Sequence, residues 1–219
     1  NEWVEYYRGK GIPAIATDYR SGKGFKQISP LVKKTLEKEL EKRERKGMAG
    51  KPIRMMVVGI PNVGKSSFIN RFSGTKKTKV EDRPGVTRGK QWVTLDNGVD
   101  LLDMPGVLWP KFEDKTVGEH LAFTGAIKDD IMDTESLAAR LAGLLDREYH
   151  DLFCARYKLA EGETDGKEPH DLLRLVGEKR GMKIAGGEID MDRAAAMLLD
   201  EFRGGKIGRI TLERPNESL

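Results

Sequence analysis

An α/β domain followed by an all-helical one is the fold class that the sequence predicts, on three observations. Residues 53–58, Ile-Arg-Met-Met-Val-Val, form a short apolar run that ends in Gly59. Its near-continuous hydrophobicity is that of a buried parallel strand, and a helical pattern carrying Phe68, Ile69 and Phe72 follows from about Gly64. Residues 91–95 and 99–103 flank Asp96-Asn97-Gly98, and Asn-Gly between two such runs is a strong hairpin signal. Beyond about Asp114 strand signals fade, and helical periodicity runs through Leu121, Ile127, Leu137, Leu141, Leu144 and Leu145. The expected division is an α/β domain over 1–113 and a helical domain over 114–219.

Composition bounds the function. The chain has 219 residues, with 39 Lys and Arg against 35 Asp and Glu, a net charge of +4. The hydrophobic fraction of 38% supplies enough apolar material for a packed core. The longest apolar runs, 55–58 and 194–199, fall far short of the roughly 20 residues of a membrane span, so none is expected. A single cysteine, Cys154, excludes an internal disulfide framework and a paired-cysteine metal knuckle. It points to a reducing, cytoplasmic compartment. His120, His150 and His170 have no metal-ligand spacing. A pI near 9.0 is only a mild pointer to nucleic acid.

The N-terminal elements follow in order. Residues 1–8 read as an amphipathic helix entered without an initiator Met, as in a fragment of a longer polypeptide. Gly9 to Gly11 end it, residues 12–17 read as a short buried strand, and 18–24 as a loop. A long helix is expected from Pro30 to Gly47, with Val32, Leu36 and Leu40 on its inner side. Its outer side is dense in Lys, Arg and Glu, with Glu39/Arg43 and Glu41/Arg45 in the favoured i,i+4 order. That side reads as a solvated face laced with ion pairs rather than an RNA-binding stripe. Further on, 158–169 reads as a loop and 170–180 as a helix with Leu172, Leu173, Leu175 and Val176 inward. Asp190 is expected to cap a helix over 191–203 that Gly204-Gly205 ends.

The chemistry-bearing string is Gly59-Ile60-Pro61-Asn62-Val63-Gly64-Lys65-Ser66, which fits GxxxxGK followed by Ser or Thr. Strand before and helix after are the context this phosphate-loop motif needs. Glycines let backbone N–H groups wrap a phosphate, and the helix N-terminus adds a favourable dipole. Gly59, Pro61, Asn62, Val63, Gly64, Lys65, Ser66 and Ser67 are therefore expected to bind nucleotide. Lys65 is expected to reach the terminal phosphates and Ser66 to hold Mg²⁺. Asp103-Met104-Pro105-Gly106 is a DxxG pattern at a strand end, with Asp103 expected at the metal and the Gly106 N–H at the γ-phosphate. Between them Thr87, in Arg83-Pro84-Gly85-Val86-Thr87, is the candidate switch threonine that binds Mg²⁺ when the γ-phosphate is present. The predicted catalytic set is Lys65, Thr87 and Gly106.

These elements resemble the GTPase superfamily, with two departures. The guanine-reading Asn/Thr-Lys-x-Asp string is absent from this chain. Asp18-Tyr19-Arg20-Ser21-Gly22-Lys23-Gly24 resembles the last GTPase motif, the base-contacting SAxxGxG loop, with its Ser-Ala replaced. Such a motif ahead of the phosphate loop implies a circularly permuted G domain whose guanine-reading string lies upstream of Asn1. The strings Gly85-Val86-Thr87, residues 103–112 and residues 121–128 narrow the resemblance to the bacterial ribosome biogenesis GTPase A (YlqF) family, over almost the whole chain. The resemblance implies a permuted P-loop GTPase three-layer fold followed by a helical domain that contacts ribosomal RNA. It implies GTP and GDP as ligands with Mg²⁺. It implies precursors of the large (50S) subunit, with 23S rRNA and ribosomal proteins, as partners, and no DNA.

Val107 occupies the place that a water-orienting glutamine takes in Ras-like enzymes. Slow intrinsic hydrolysis, stimulated by ribosomal particles, is the expectation. Asn62 suggests K⁺ as an accelerating cation, against the plainer reading of a loop Asn bonded to its own backbone. His120 is not at the position of the family's proposed catalytic histidine. In the helical half Arg174, Lys179, Arg180, Lys183, Arg193, Arg203, Lys206 and Arg209 suit rRNA phosphates or simply a basic solvated surface, and the resemblance favours RNA. Two other readings stand beside the assembly factor: a regulatory nucleotide switch that recruits a protein, and a P-loop ATPase or small-molecule kinase.

Overall fold

The computed structural model describes residues 2–74, 91–95, 98–106, 108, 114–127 and 133–215. The chain divides into two compact units, Asn1–Leu108 with Glu213–Leu219, and Trp109–Leu212.

The first unit opens with α1 (Glu2–Gly9), which buries none of its residues. Its aromatic residues pack on one another, Trp3 and Tyr7 stacking with centroids 6.0 Å apart. Residues 12–17 are not the buried strand expected. None of the described strands pairs with them, and Ile12 is 50% exposed. Apolar continuity favours extended chain, but a strand exists only through its ladder partner.

The expected long helix is two helices, α2 (Ile28–Thr35) and α3 (Glu37–Arg45), preceded by a 3-10 turn at Phe25–Gln27. It starts earlier than Pro30, which sits in the first turn, where N–H groups have no intrahelical acceptor. Leu36 breaks the regular geometry at φ −100°, ψ 9°, yet the bonds Leu36 N to Val32 O and Leu40 N to Leu36 O carry the helix across it. Ile28 is buried, and Val32, Leu36 and Leu40 are partly buried against the core. The pairs Glu39–Arg43 (3.5 Å) and Glu41–Arg45 (3.8 Å) form.

Among the described residues the sheet has three strands, β1 (Ile53–Val57), β2 (Gln91–Leu95) and β3 (Val99–Asp103), in the order β1–β3–β2. β1 runs parallel to β3, with Val57 opposite Asp103, and β2 pairs antiparallel to β3. Leu95 is in register with Val99, and Gly98, just before β3, takes φ 77°, a left-handed geometry that suits glycine. α4 (Lys65–Ser73) covers one face, where Ile53, Ile69, Val99 and Leu101 form the core. Burial along β1 alternates, and Met56 is 59% exposed. The strand is therefore parallel as expected but buried on one face only.

The second unit is built from α5 (Lys115–Phe123), α6 (Thr134–Glu148), α7 (His150–Tyr157), α8 (Pro169–Lys179) and α9 (Met191–Arg203). Asp114, Asp133 and Asp190 cap α5, α6 and α9 by accepting from Thr116 N, Ser136 N and Arg193 N. Leu137, Leu141, Leu145, Leu172, Leu173, Leu198 and Leu199 are almost wholly buried in one shared core. An isolated bridge, Lys183 with Ile189, adds a small turn that sequence periodicity did not indicate.

One carboxylate in this core is ionic. Glu201 on α9 is 8% exposed and accepts from both the Arg156 guanidinium and the Tyr157 hydroxyl on α7. Arg180 stands 3.3 Å away, with its guanidinium 5.2 Å from the centre of the Tyr157 ring. The hydrogen bond from Arg156, then the hydroxyl and the second guanidinium, hold the Glu201 carboxyl below its ordinary range against the opposing effect of burial. A depressed carboxyl contributes stability above its unfolded pKa and loses it as the pH falls through the folded value. Glu201→Ala is expected to destabilise the helical unit by about 3–5 kcal/mol, because it leaves two guanidinium groups without their anion. Thermal unfolding followed by circular dichroism measures this. The loss relative to wild type is expected to be large at pH 7 and to shrink on acidification.

Candidate functional site: a triphosphate and magnesium cradle

The site grows out of the carboxyl end of the parallel pair. Chain leaving β1 turns through 58–64 and re-enters helix at Lys65, with Gly64 at φ 86° as the residue before α4. Asn62 also takes a left-handed φ of 60°, uncommon for a residue with a side chain. The loop curls around its own lysine: Lys65 Nζ donates to Gly59 O at 3.0 Å and to Ile60 O at 2.8 Å. Burial lowers the Lys65 pKa, opposed by the charge of Asp103.

The DxxG segment closes against this loop. A Cβ on Gly106 would lie 2.6 Å from Pro61 N and 2.7 Å from Pro61 Cα, so backbone meets backbone and only glycine fits. Asp103, the last residue of β3, is 2% exposed. Burial raises its pKa, offset in part by Lys65, the Met104 N–H and the Ser66 hydroxyl. Among the described residues nothing donates a hydrogen bond to Asp103 Oδ1. A buried, desolvated carboxylate oxygen without a donor is costly unless something else satisfies it. Beside a serine hydroxyl, the donor set is the hard-oxygen type that Mg²⁺ takes. No group of three or more His, Cys, Asp or Glu able to hold a metal occurs among the described residues. The fit is therefore to an ion that draws its remaining oxygens from phosphate and water, and not to a metal caged by protein alone.

The loop over 18–24 lies beside the cradle. Asp18 accepts from Arg20 N (2.9 Å) and from the Ser21 hydroxyl (2.6 Å). Gly22 at φ 78° sits under Arg71, whose Nη2 would be 2.2 Å from an added Cβ. Gly24 at φ 81° is held against Ala16 O, and the Tyr19 ring would lie 3.6 Å from a Cβ on Gly64. Phe25 packs on Phe68 and Phe72 of α4, at 5.1 and 6.5 Å between centroids. A loop that precedes the phosphate loop in sequence and abuts it in space is consistent with a permuted G domain. Sequence reasoning missed Arg71 and Phe25. The i,i+4 aromatic pair Phe68/Phe72 offered a signal for Phe25, while Arg71 offered none.

The structure thus brings together Gly59, Pro61, Gly64, Lys65, Ser66, Asp103 and Gly106. Asn62, Val63 and Ser67 lie on the same loop and first helical turn. Thr87 and Val107 lie outside the described residues.

Of the eight basic residues singled out in the helical unit, three are committed within it. Lys179 pairs with Glu163 (2.7 Å), Arg180 with Glu201, and Arg203 donates to Phe123 O (3.1 Å) and Ala122 O (2.9 Å) at the end of α5. Arg174, Lys183, Arg193, Lys206 and Arg209 are exposed. The local richness in base is also outweighed: Trp109–Leu212 holds 16 Lys and Arg against 21 Asp and Glu, a balance of −5. Two histidines face carboxylates, His150 with Asp146 at 2.9 Å and His170 with Glu135 at 3.5 Å. Cys154 Sγ lies 3.5 Å from His150 Nε2, but burial and then Asp146, Asp151 and Glu163 raise the thiol pKa, the opposite of what a nucleophile needs.

No helix among the described residues is long and apolar enough to cross a membrane. A protein-family model described as "50S ribosome-binding GTPase" matches residues 54–148. Ribosome biogenesis GTPase A of Priestia megaterium is 44% identical, over 99% of this chain and 75% of that protein. The protein of the same name from Bacillus cereus is 40% identical, over 99% and 72%. The GDP-bound structure of TM YlqF and that of GNP-bound YlqF from Thermotoga maritima align with TM-scores of 0.63 and 0.61, each at 24% identity. They cover 99% of this chain and 77% and 76% of theirs, and they establish the fold. The architecture is a P-loop GTPase domain with a helical C-terminal region, and the chain belongs to the ribosome biogenesis GTPase A (YlqF) family.

Proposed function

We propose that this protein binds GTP and GDP with Mg²⁺, hydrolyses GTP slowly, and acts in the cytoplasm as an assembly factor on precursors of the large ribosomal subunit. In this reading residues 1–113 form the G domain and residues 114–219 a helical domain that docks on the particle, with 23S rRNA and ribosomal proteins as the contacts. The observation that carries the reading is the buried Asp103 carboxylate, with one oxygen lacking a donor, beside Lys65 and Ser66 at the mouth of the phosphate loop.

Each residue has a separate task. Backbone N–H groups of Gly59, Pro61's successor Asn62, Val63, Gly64 and Lys65 surround the phosphates, and the start of α4 at Ser66 and Ser67 favours their negative charge. Lys65 exchanges the carbonyls of Gly59 and Ile60 for phosphate oxygens. Ser66, Asp103 and Thr87 would hold Mg²⁺, which would neutralise charge building on the transferred phosphoryl group. Gly106, packed on Pro61, offers its N–H to the γ-phosphate, so the DxxG segment registers its presence or loss. Val107 cannot orient water, which keeps intrinsic hydrolysis slow. Asn62, held in its left-handed conformation, supplies a K⁺ ligand that compensates in part.

Sedimentation with large-subunit precursors tests the function. The protein is expected to travel with the particles in a non-hydrolysable GTP analogue and to remain free in GDP. Equal binding in both states contradicts the assembly-factor cycle, and nucleotide competition in which ATP matches GTP supports an ATPase instead. Asp103→Asn is expected to remove the Mg²⁺ dependence of nucleotide affinity. Because burial disfavours the charged form at neutral pH, the same change is expected to raise the Tm of the ligand-free protein. In KCl the wild type is expected to hydrolyse GTP about tenfold faster than in NaCl, a difference of about 1.4 kcal/mol in barrier. Asn62→Ala is expected to bring the two rates together.

A further inference from the structure

Charge is partitioned between the two units in a way that the whole-chain value hides. Against the −5 of Trp109–Leu212, the remaining residues hold 23 Lys and Arg and 14 Asp and Glu, a balance of +9, and the two make up the +4 of the chain. Residues 28–51 alone hold eight Lys and Arg against four Glu. This segment therefore carries a net +4, with α3 itself balanced at four cations against four Glu, whereas the helical unit is net acidic.

Within that segment the charges are sorted by side. Val32, Leu36 and Leu40 face the core. At 100° per residue, Lys34, Lys38, Lys42, Arg45 and Lys46 fall within one arc of about 120°, bordered by Glu41 on one side and Glu39 on the other, with Glu37 and Glu44 further round. Consecutive members of the Lys34, Lys38, Lys42 row are separated by about 6 Å along the axis. All five cations are exposed. The ion pairs of the segment use Arg43 and Arg45, and among the described residues no carboxylate pairs with Lys34, Lys38, Lys42 or Lys46. A row of exposed ammonium groups with no ion pair among the described residues, bordered by two glutamates, is more than the ion-pair lacing the sequence suggested. Its apolar stripe is already spent on the core, so the helix has no hydrophobic face to sink into a bilayer. No aromatic residue lies on the flank for base stacking. What remains is attraction to a dense row of negative charge, the chemistry of a polynucleotide backbone.

We infer that the flank formed by Lys34, Lys38, Lys42 and Lys46 is a docking surface for the phosphate backbone of ribosomal RNA. The inference rests on the ribosomal reading above and adds to it where this chain touches RNA, with contacts that position without reading sequence. The test uses the whole protein with the variant Lys34→Gln/Lys38→Gln/Lys42→Gln, three exposed changes outside the nucleotide cradle, and purified large ribosomal subunits in a GTP analogue. At 100 mM salt the variant is expected to bind about 10- to 100-fold more weakly, with a salt dependence shallower by about 2 to 3 in log–log slope. Its basal GTP hydrolysis and circular dichroism spectrum are expected to match the wild type. Unchanged affinity and slope overturn the inference while leaving the ribosomal reading intact. The inference is equally overturned if the loss appears only on vesicles of anionic lipid, or if Lys183→Gln/Arg193→Gln on the helical unit removes the salt dependence instead. A wild type that ignores the subunits in every nucleotide state overturns both.

Discussion

The register between β1 and β3 is the constraint on which the rest depends. Pairing Val57 with Asp103 sets the end of one strand, where the glycine loop begins, beside the end of the other, where the carboxylate sits. Parallel strands with their carboxyl ends together open a crevice at one edge, and in α/β folds ligands bind there. Shifting the pairing by one residue would turn Asp103 to the opposite face of the sheet, away from Lys65 and Ser66. The antiparallel pairing supports that register from the other side, since Gln91 also pairs with Asp103. Gly106 then brings the chain back against Pro61 at a distance no side chain permits.

The cost of this arrangement is visible at the site. Asp103 is buried with an oxygen that lacks a donor, and Lys65 is turned onto its own loop carbonyls. Both groups are held in surroundings that disfavour their charged forms. Glu201, the buried carboxylate of the helical unit, is the contrast. Two guanidinium groups and a phenol satisfy it, and its pKa moves down instead of up. A satisfied buried acid fixes structure, and an unsatisfied one beside a phosphate-shaped loop awaits a ligand.

Much of this was legible in the sequence, because it is local. The phosphate loop follows from glycine spacing, the hairpin from Asn97-Gly98 between two strand-like runs, and the cap of α9 from Asp190. What was not legible depends on residues far apart in the chain. Residues 12–17 have strand-like composition, but whether they pair is decided by a neighbour that composition does not name. Met56 belongs to a run that reads as doubly buried, yet only one side of the sheet is covered among the described residues. Leu36 interrupts a helix whose apolar period passes through it unbroken. Arg71 shelters Gly22 across nearly fifty positions of sequence, and Arg180 and Arg203 look like free surface cations until the structure gives them partners. Charge followed the same rule: a near-neutral chain conceals a basic unit joined to an acidic one.

Calorimetric titration with a GTP analogue, in Mg²⁺ and again in EDTA, tests the central claim that residues 59–66 and Asp103 form one triphosphate–magnesium cradle. Binding in Mg²⁺ that weakens by at least about tenfold in EDTA, with Lys65→Ala abolishing it in both, is the predicted result. Heat of equal size with and without the metal, or binding that survives Lys65→Ala, would contradict it.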